Sequence, residues 1–152
     1  MHIETRFEVI VRAPTAETIQ LFTPEGEREW AGPNWNPQYL HPAGPARDAA
    51  GAVFTIQYGQ FQAVWTVVQR DDDARLFRYV YFIPAVMVTT VQVRFMPLQA
   101  QATQVEVRYA RTSLSPEGEA QVEAMSAEDR GAAAEWQRAI EQYLAARTPT
   151  AR

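Results

Sequence analysis

The chain has 152 residues, of which 47% are hydrophobic and 21% are charged, as expected for one globular domain that folds without a metal ion or a disulfide. It has no cysteine, which excludes disulfides, cysteine-based metal or iron–sulfur sites and a thiol nucleophile. Acidic residues outnumber basic residues by 18 to 14, the opposite of the balance typical of a nucleic-acid-binding protein.

The N-terminal part of the sequence predicts one strand followed by two short helices. Apolar and polar residues alternate over 3–11, which is the pattern of a strand with one buried face. Pro14 ends this strand, and a threonine directly after it can cap a short helix over 15–22. The segment Thr-Pro-Glu-Gly-Glu at 23–27 has a capping residue, a proline and acids in the order of a helix start, which predicts a second helix over 24–30.

The segment 31–51 is rich in proline, glycine and asparagine and also contains large aromatic residues. This composition predicts a long loop. Loops of this length are uncommon inside a compact domain and are often functional.

The middle of the chain predicts a series of strands. Alternation of apolar and polar residues recurs in five segments, with short turns between them, which predicts an antiparallel meander. The five segments are 54–58, 61–67, 77–83, 87–95 and 105–109.

The C-terminal part predicts a long helix with a break near its start. Ser-Pro-Glu-Gly-Glu at 115–119 repeats the helix-start chemistry of 23–27, and Ser126 with Asp129 forms a second possible capping box. We therefore expect a helix near 117–124, a break near Ser126, and a longer helix over 127–146 with an apolar stripe. Residues 148–152 are expected to form a frayed tail.

These elements predict a single α+β domain over residues 1–147. Its curved antiparallel sheet wraps around the long C-terminal helix, and two short helices lie between the first and second strands. The short helices and the loop are too small to fill the concave face of the sheet. We therefore expect a pocket between the sheet and the C-terminal helix.

Several segments carry a resemblance to a known superfamily. They are LFTPEGEREW at 21–30, WNP at 35–37, YLHP at 39–42, TSLSPEG at 112–118 and EWQRAI at 135–140. The sequence resembles the START/Bet v 1-like superfamily, also called SRPBCC or helix-grip proteins, and within it a bacterial polyketide cyclase/dehydrase-like subgroup. The resemblance implies a helix-grip fold and the binding of a lipid, hormone or polyketide. It implies no catalytic residue, since no catalytic motif of the superfamily can be placed on this sequence.

Aromatic side chains are the main candidates for a ligand-binding site. Within each predicted strand the large aromatic residues occupy alternate positions, so they should face the same side of the sheet. Other aromatic residues lie in the helix–loop segment, where a lid could sit. The alternative is that these residues only fill the core. The candidate ligand-binding residues are Trp30, Trp35, Tyr39, His41, Trp65, Tyr79, Tyr81, Phe95, Tyr109 and Met125.

The sequence offers few groups for catalysis. His41 is the candidate catalytic residue, as a general base at a pocket mouth, and the alternative is a loop histidine bonded to backbone. The chain has no lysine, which excludes Schiff-base chemistry. No metal-ligand spacing, phosphate-binding loop or serine-nucleophile motif is present, so neither a metal nor a cofactor is expected.

Charged residues near the predicted pocket have two possible roles. Asp129 shares a helix face with Trp136 and could meet a ligand, but the capping box with Ser126 is the favoured interpretation. The charged residues at the end of the last strand are expected to be solvated, namely Glu106, Arg108 and Arg111.

The function predicted from these features is the binding of an apolar or aromatic small molecule in the pocket. One alternative is a polyketide cyclase/dehydratase-like enzyme, in which His41 or a tyrosine hydroxyl moves a proton. The other is a homodimeric interaction module without a ligand. No signal peptide and no membrane span are expected, since the longest apolar stretch, 83–88, is far shorter than the ~18 residues of a membrane helix, and a cytoplasmic location follows by default.

Overall fold

One antiparallel sheet of seven strands and a long helix make up most of the fold. The structure is a computed structural model that describes residues 1–44 and 47–147, so the predicted frayed tail at 148–152 lies outside the described residues. The elements are β1 (His2–Val11), α1 (Thr15–Leu21), α2 (Pro24–Glu27), β2 (Gln38–His41), β3 (Val53–Tyr58), β4 (Phe61–Asp71), β5 (Leu76–Ile83), β6 (Met87–Gln99), β7 (Ala102–Ser113) and α3 (Pro116–Arg147). The predicted α+β fold is confirmed. In this part of the chain, no helix is long and apolar enough to cross a membrane.

The strand order explains why a concave space forms. The order is β1-β7-β6-β5-β4-β3-β2, and each neighbouring pair is antiparallel. Five strands follow one another as the predicted meander, whereas β1 joins the far edge beside β7. Because β1 and β2 lie at opposite edges, the short helices and the loop must cross the concave side of the sheet.

Alternation on the paired strands produces the core. Phe7 lies opposite Val107 and Val9 lies opposite Val105, and all four side chains are buried. Helix α3 covers this side of the sheet, with Ile140 among its fully buried residues. Removing such apolar surface from water is the main favourable contribution to folding.

The segment that the sequence predicts as one long loop contains a strand. Strand β2 pairs with β3, with Gln38 opposite Thr55 and Tyr39 opposite Phe54. The expectation of a loop over the whole of 31–51 is therefore wrong. The strand is only four residues long and depends on pairing with a distant segment, so local composition does not reveal it.

Helix α2 is shorter than expected. The predicted helix over 24–30 is regular only over Pro24–Glu27, although the backbone continues as turns. The N–H groups of residues 28–30 each donate to the carbonyl three residues earlier, which is the tighter turn common at helix ends.

Helix α3 is continuous, so the predicted break near Ser126 is wrong. Neither member of the predicted capping box serves a helix start. The Ser126 hydroxyl accepts a hydrogen bond from Arg111 Nη1 at 3.3 Å, and the Asp129 carboxylate binds the same guanidinium. A long-range interaction with β7 has replaced the local cap.

At both of the similar helix starts, a glycine packs closely against the backbone of another segment. Thr23 Oγ1 accepts from the Gly26 N–H at 2.9 Å, and Ser115 Oγ accepts from the Gly118 N–H at 3.0 Å. An ideal Cβ on Gly26 would lie 1.8 Å from the Gln20 carbonyl oxygen, and one on Gly118 would lie 1.9 Å from the Val86 carbonyl oxygen. Glycine is therefore required at both positions for close approach of another segment.

We predict that Gly118→Ala lowers the free energy of unfolding by about 1–3 kcal/mol, because the new methyl group must displace the backbone at Val86. Gly131→Ala in the same helix is the matched control. No atom lies within 4 Å of its added methyl group, so this variant should be as stable as the wild type or up to about 1 kcal/mol more stable. Urea denaturation of both variants measures the difference, and equal stabilities would contradict the close approach.

Candidate ligand-binding site

A cavity of about 440 Å³ lies between the concave face of the sheet, α3 and the turn after α2. Trp65, Tyr79 and Tyr81 form its floor and are almost fully buried. The more accessible wall is formed by half-buried side chains from the loop, the sheet and α3, namely Trp35, Tyr58, Tyr109, Met125 and Trp136. Exposed residues mark the opening, namely Ala31, Asn34, Glu128 and Glu135.

Six of the ten candidate ligand-binding residues line this cavity. They are Trp35, Trp65, Tyr79, Tyr81, Tyr109 and Met125. Their parity and their position in the loop or on α3 bring them together, as the sequence pattern predicts. Contact with a ligand remains a prediction for each of them.

Four candidates lie outside the cavity lining. Trp30 is buried behind the wall, where its indole N–H donates to the Leu21 carbonyl oxygen at 2.7 Å. Phe95 is a core residue whose ring lies 5.2 Å from the Phe77 ring. Tyr39 packs against Phe54, with a distance of 5.3 Å between ring centroids. These three residues support the structure around the cavity.

His41 lies on the edge strand β2 and is exposed. It is not part of the cavity lining, so its predicted role as a general base at a pocket mouth has no geometric basis in this cavity. Among the described residues, no cluster of three or more histidine, aspartate or glutamate side chains could hold a metal ion.

A buried ion pair joins β7 to α3 beside the cavity. Arg111 Nη1 donates to Asp129 Oδ2 at 2.6 Å and Nη2 donates to Oδ1 at 3.2 Å, so the contact is bidentate. The Thr5 hydroxyl also donates to Asp129 Oδ2, and the guanidinium lies 4.4 Å from the centre of the Tyr109 ring. Both charged side chains line the cavity.

Two of the charged residues that were expected to be solvated are buried. Arg111 is only 3% exposed, although it was expected to be solvated. Glu106 is also buried, under Arg6 at 3.5 Å and Arg108 at 2.8 Å, whereas Arg108 is exposed as expected. The signal for Arg111 was present in the sequence, because it shares the parity of the inward-facing residues Val105, Val107 and Tyr109.

Electrostatics keep Arg111 charged despite its burial. Burial alone would lower the pKa of the guanidinium, but the hydrogen bond to Asp129 and the nearby Tyr81 raise it above its usual value. Arg111 Nε and the indole nitrogen of Trp65 are buried without a hydrogen-bond partner among the described residues. Burial raises the pKa of the neighbouring Tyr58 hydroxyl and the Trp65 indole offsets part of this rise, although the two groups do not have the geometry of a hydrogen bond.

Glu27 is the functional candidate that the sequence analysis missed. Its carboxylate lines the cavity and makes no hydrogen bond or ion pair with any residue that the structure describes. Burial raises the pKa of this carboxyl well above its ordinary value, and the nearby Asp48 raises it further. The sequence showed Glu27 only as an acid in the first turn of a helix.

The tyrosine hydroxyls differ in their partners. Tyr79 donates to the Phe22 carbonyl oxygen at 3.1 Å, whereas the Tyr109 hydroxyl has no hydrogen bond with the described residues. Burial raises the pKa of both tyrosines, and the nearby Glu27 raises it further. Both therefore remain neutral donors at ordinary pH.

Comparison with known proteins identifies the fold. No family model matches the sequence, and no curated protein matches it. Solved structures do match: norcoclaurine synthase from Thalictrum flavum has a TM-score of 0.70 at 13% identity, with 99% of this chain and 90% of that chain covered. A Thermobifida fusca protein has a TM-score of 0.61 at 20% identity, with 98% of both chains covered. DynU16, from the dynemicin biosynthetic locus, has a TM-score of 0.61 at 17% identity, with 96% of this chain and 48% of that chain covered.

The chain therefore has the START/Bet v 1-like fold, in which a curved antiparallel sheet holds a long C-terminal helix. The resemblance found in the sequence is confirmed at the level of the fold. At identities of 13% to 20%, these structures show that the fold is shared and do not show a shared function.

We predict strong coupling between Arg111 and Asp129. Arg111→Met leaves a buried carboxylate without its cation and should lower the free energy of unfolding by about 3–5 kcal/mol. The double variant Arg111→Met/Asp129→Leu removes both charges and should be more stable than Arg111→Met alone. Urea denaturation of the single and double variants gives the coupling energy, and additive losses would show that the pair is not coupled.

We also predict a pH-dependent cost at Glu27. Its pKa is higher in the folded than in the unfolded chain, so ionisation destabilises the fold as the pH rises above about 4.3, the unfolded value, toward the raised one. Glu27→Gln should therefore be more stable than the wild type at neutral pH, and the difference should shrink below pH ~4. Thermal unfolding across this range measures it, with Glu29→Gln, an exposed neighbour, as the control that should show no such trend.

Proposed function

We propose that the protein binds an aromatic or apolar small molecule in the cavity between the sheet and α3. One observation carries the proposal: half-buried aromatic and thioether side chains converge on a cavity of about 440 Å³ that also contains polar groups without partners. This volume is in the range of small-molecule sites, which are mostly apolar with a few oriented polar groups.

The unpartnered groups indicate what the ligand carries. The Tyr109 hydroxyl lines the cavity without a hydrogen bond to the described residues, so it can donate to a ligand oxygen. A donor that a ligand covers without replacing its hydrogen bond to water costs about 1–3 kcal/mol, so an acceptor on the ligand would be favourable. Because Asp129 already compensates the charge of Arg111, a neutral carbonyl or phenolic oxygen suits this end better than a carboxylate.

The exposed apolar side chains favour a ligand cavity over a homodimer interface. These side chains are spread over several strands and turns instead of being concentrated on one element. They are Met1, Ile10, Leu40, Val68, Phe82, Leu98 and Leu114. A stable interface usually needs a contiguous apolar patch.

Catalysis on the bound molecule is a second candidate function. It is supported by the unpartnered Glu27 and Tyr109, since burial raises the pKa of both groups and so favours their protonated forms. Norcoclaurine synthase and DynU16 share the fold, and their names indicate a synthase and a member of a biosynthetic locus. Mass spectrometry of a bound ligand after incubation distinguishes turnover from simple binding.

We predict that filling the cavity abolishes binding. Ala132 lines the cavity and is 9% exposed, whereas Ala134 is exposed on the same helix. Ala132→Phe should prevent binding of 2-(2-naphthyl)ethanol, measured by titration calorimetry, and should remove any ligand that co-purifies in native mass spectrometry. Ala134→Phe should leave both unchanged.

Circular dichroism confirms that each variant is folded. Unchanged binding by folded Ala132→Phe would place the ligand elsewhere, and failure of the wild type to bind would contradict an aromatic ligand of this size.

A further inference from the structure

Glu27 differs from the two buried acidic residues, Asp129 and Glu106, because it is half-buried and has no cation beside it among the described residues. Asp129 is paired with Arg111, and Glu106 is paired with Arg6 and Arg108. Glu27 has no cation within the part of the chain that the structure describes, although its carboxylate lines the cavity. In such surroundings the protonated carboxyl group is favoured, and its ionised form becomes favourable only when a positive charge from outside the chain accompanies it.

The arginines near Glu27 are already committed. Both terminal nitrogens of Arg111 bind Asp129, and one of them also donates to Ser126. Arg28 directly follows Glu27 in the chain, but its side chain binds Glu25, the Asn36 side chain and the Pro37 carbonyl oxygen. Neither can turn to Glu27 without breaking these contacts.

The remaining charges around the cavity are negative. Asp48 acts on Glu27 as a like charge, and Glu128 and Glu135 lie at the opening. Since Arg111 and Asp129 cancel, the cavity is electrostatically acidic. Such a field favours a positively charged ligand.

Aromatic rings provide a second attraction for a positive charge. Trp35, Tyr58, Tyr109 and Trp136 all present accessible surface to the same cavity. The faces of these rings attract cations, and aromatic cages are a recurrent way of binding substituted ammonium groups. A carboxylate combined with aromatic faces therefore suits an organic ammonium better than a metal ion or an anion.

We infer that the cavity binds an aromatic molecule with a protonated amine, whose ammonium group pairs with the Glu27 carboxylate. This inference rests on the proposed function and specifies the charge of the ligand. Its oxygen acceptor, if present, would lie toward Tyr109 and Arg111, at the other polar part of the cavity.

Binding of such a ligand is linked to proton release. In the empty cavity, burial and Asp48 favour the protonated form of Glu27, whereas an ammonium partner favours the carboxylate. The other titratable or charged groups of the cavity are Tyr58, Tyr79, Tyr81, Tyr109, Arg111, Glu128, Asp129 and Glu135. Burial raises the pKa of Tyr58, Tyr79 and Tyr109, so these tyrosines stay neutral. Affinity for the amine should therefore increase with pH through the pKa of Glu27 and decrease near pH ~10, where the amine itself loses its proton.

The test compares two nearly isosteric compounds, 2-(2-naphthyl)ethylamine and 2-(2-naphthyl)ethanol, by titration calorimetry at pH 6, 7 and 8. At pH 8 the wild type should bind the amine about 10- to 100-fold more tightly than the alcohol, as expected for a hydrogen bond between charged groups. Titrations in buffers of different ionisation enthalpy should show proton release on binding of the amine and none for the alcohol.

Three variants assign the effect to Glu27. Glu27→Gln should reduce the preference to less than about threefold and abolish proton release, because no carboxylate remains. Glu27→Asp keeps the charge on a shorter side chain and should retain the preference for the amine. Glu29→Gln, on an exposed residue outside the lining, should behave as the wild type.

Each outcome decides between the proposals. Equal affinity of the wild type for the two compounds would overturn the inference while leaving the proposed function intact. A preference that persists in folded Glu27→Gln would assign the ammonium to another group and also overturn it. Failure of the wild type to bind either compound would contradict the proposed function and the inference together.

Discussion

The contact between Arg111 and Asp129 determines how the long helix lies on the sheet. It fixes one position of α3 to one position of β7, and the Thr5 hydroxyl adds β1 to the same point. Buried charges are costly unless they are paired and hydrogen-bonded, so any other placement of the helix would leave a charge uncompensated. The apolar contacts of α3 could tolerate small displacements, but this bidentate contact does not. It therefore sets the width of the space between helix and sheet in which the cavity lies.

The fold could be predicted largely from sequence because its signals are local. Alternation identified β1 and the five strands of the meander, and helix-start chemistry identified α2 and α3. Helix α1 lies where it was expected, but Thr15 is its first residue and does not cap it; its hydroxyl bonds Thr103 instead. The strand β2 could not be found in this way, because its four residues are held by pairing with β3 and its composition is that of a loop. The predicted break at Ser126 failed for the opposite reason: a valid local cap was overridden by a contact with a residue 15 positions away.

The candidate site could be predicted only in part. The alternation of residues along each strand predicted that Trp65, Tyr79, Tyr81 and Tyr109 lie on the cavity side, because it determines which face of a strand a side chain occupies. The same rule applied to Arg111 would have placed it inside, but arginine is usually solvated, and that general expectation prevailed. The position of Glu27 depends on how the short helix α2 packs against the end of α1, which no periodicity encodes.

The ring contacts around the cavity have a spectroscopic consequence. The chain has four tryptophans, and each lies in an aromatic network at this one place. Trp30 contacts Trp136 at 5.4 Å and Trp35 contacts Trp65 at 5.3 Å between ring centroids. Three of the four line the cavity and the fourth touches one of these three. The tryptophan emission of the protein therefore originates entirely beside the cavity, with no distant indole to dilute it, so the protein contains its own optical reporter of cavity occupancy.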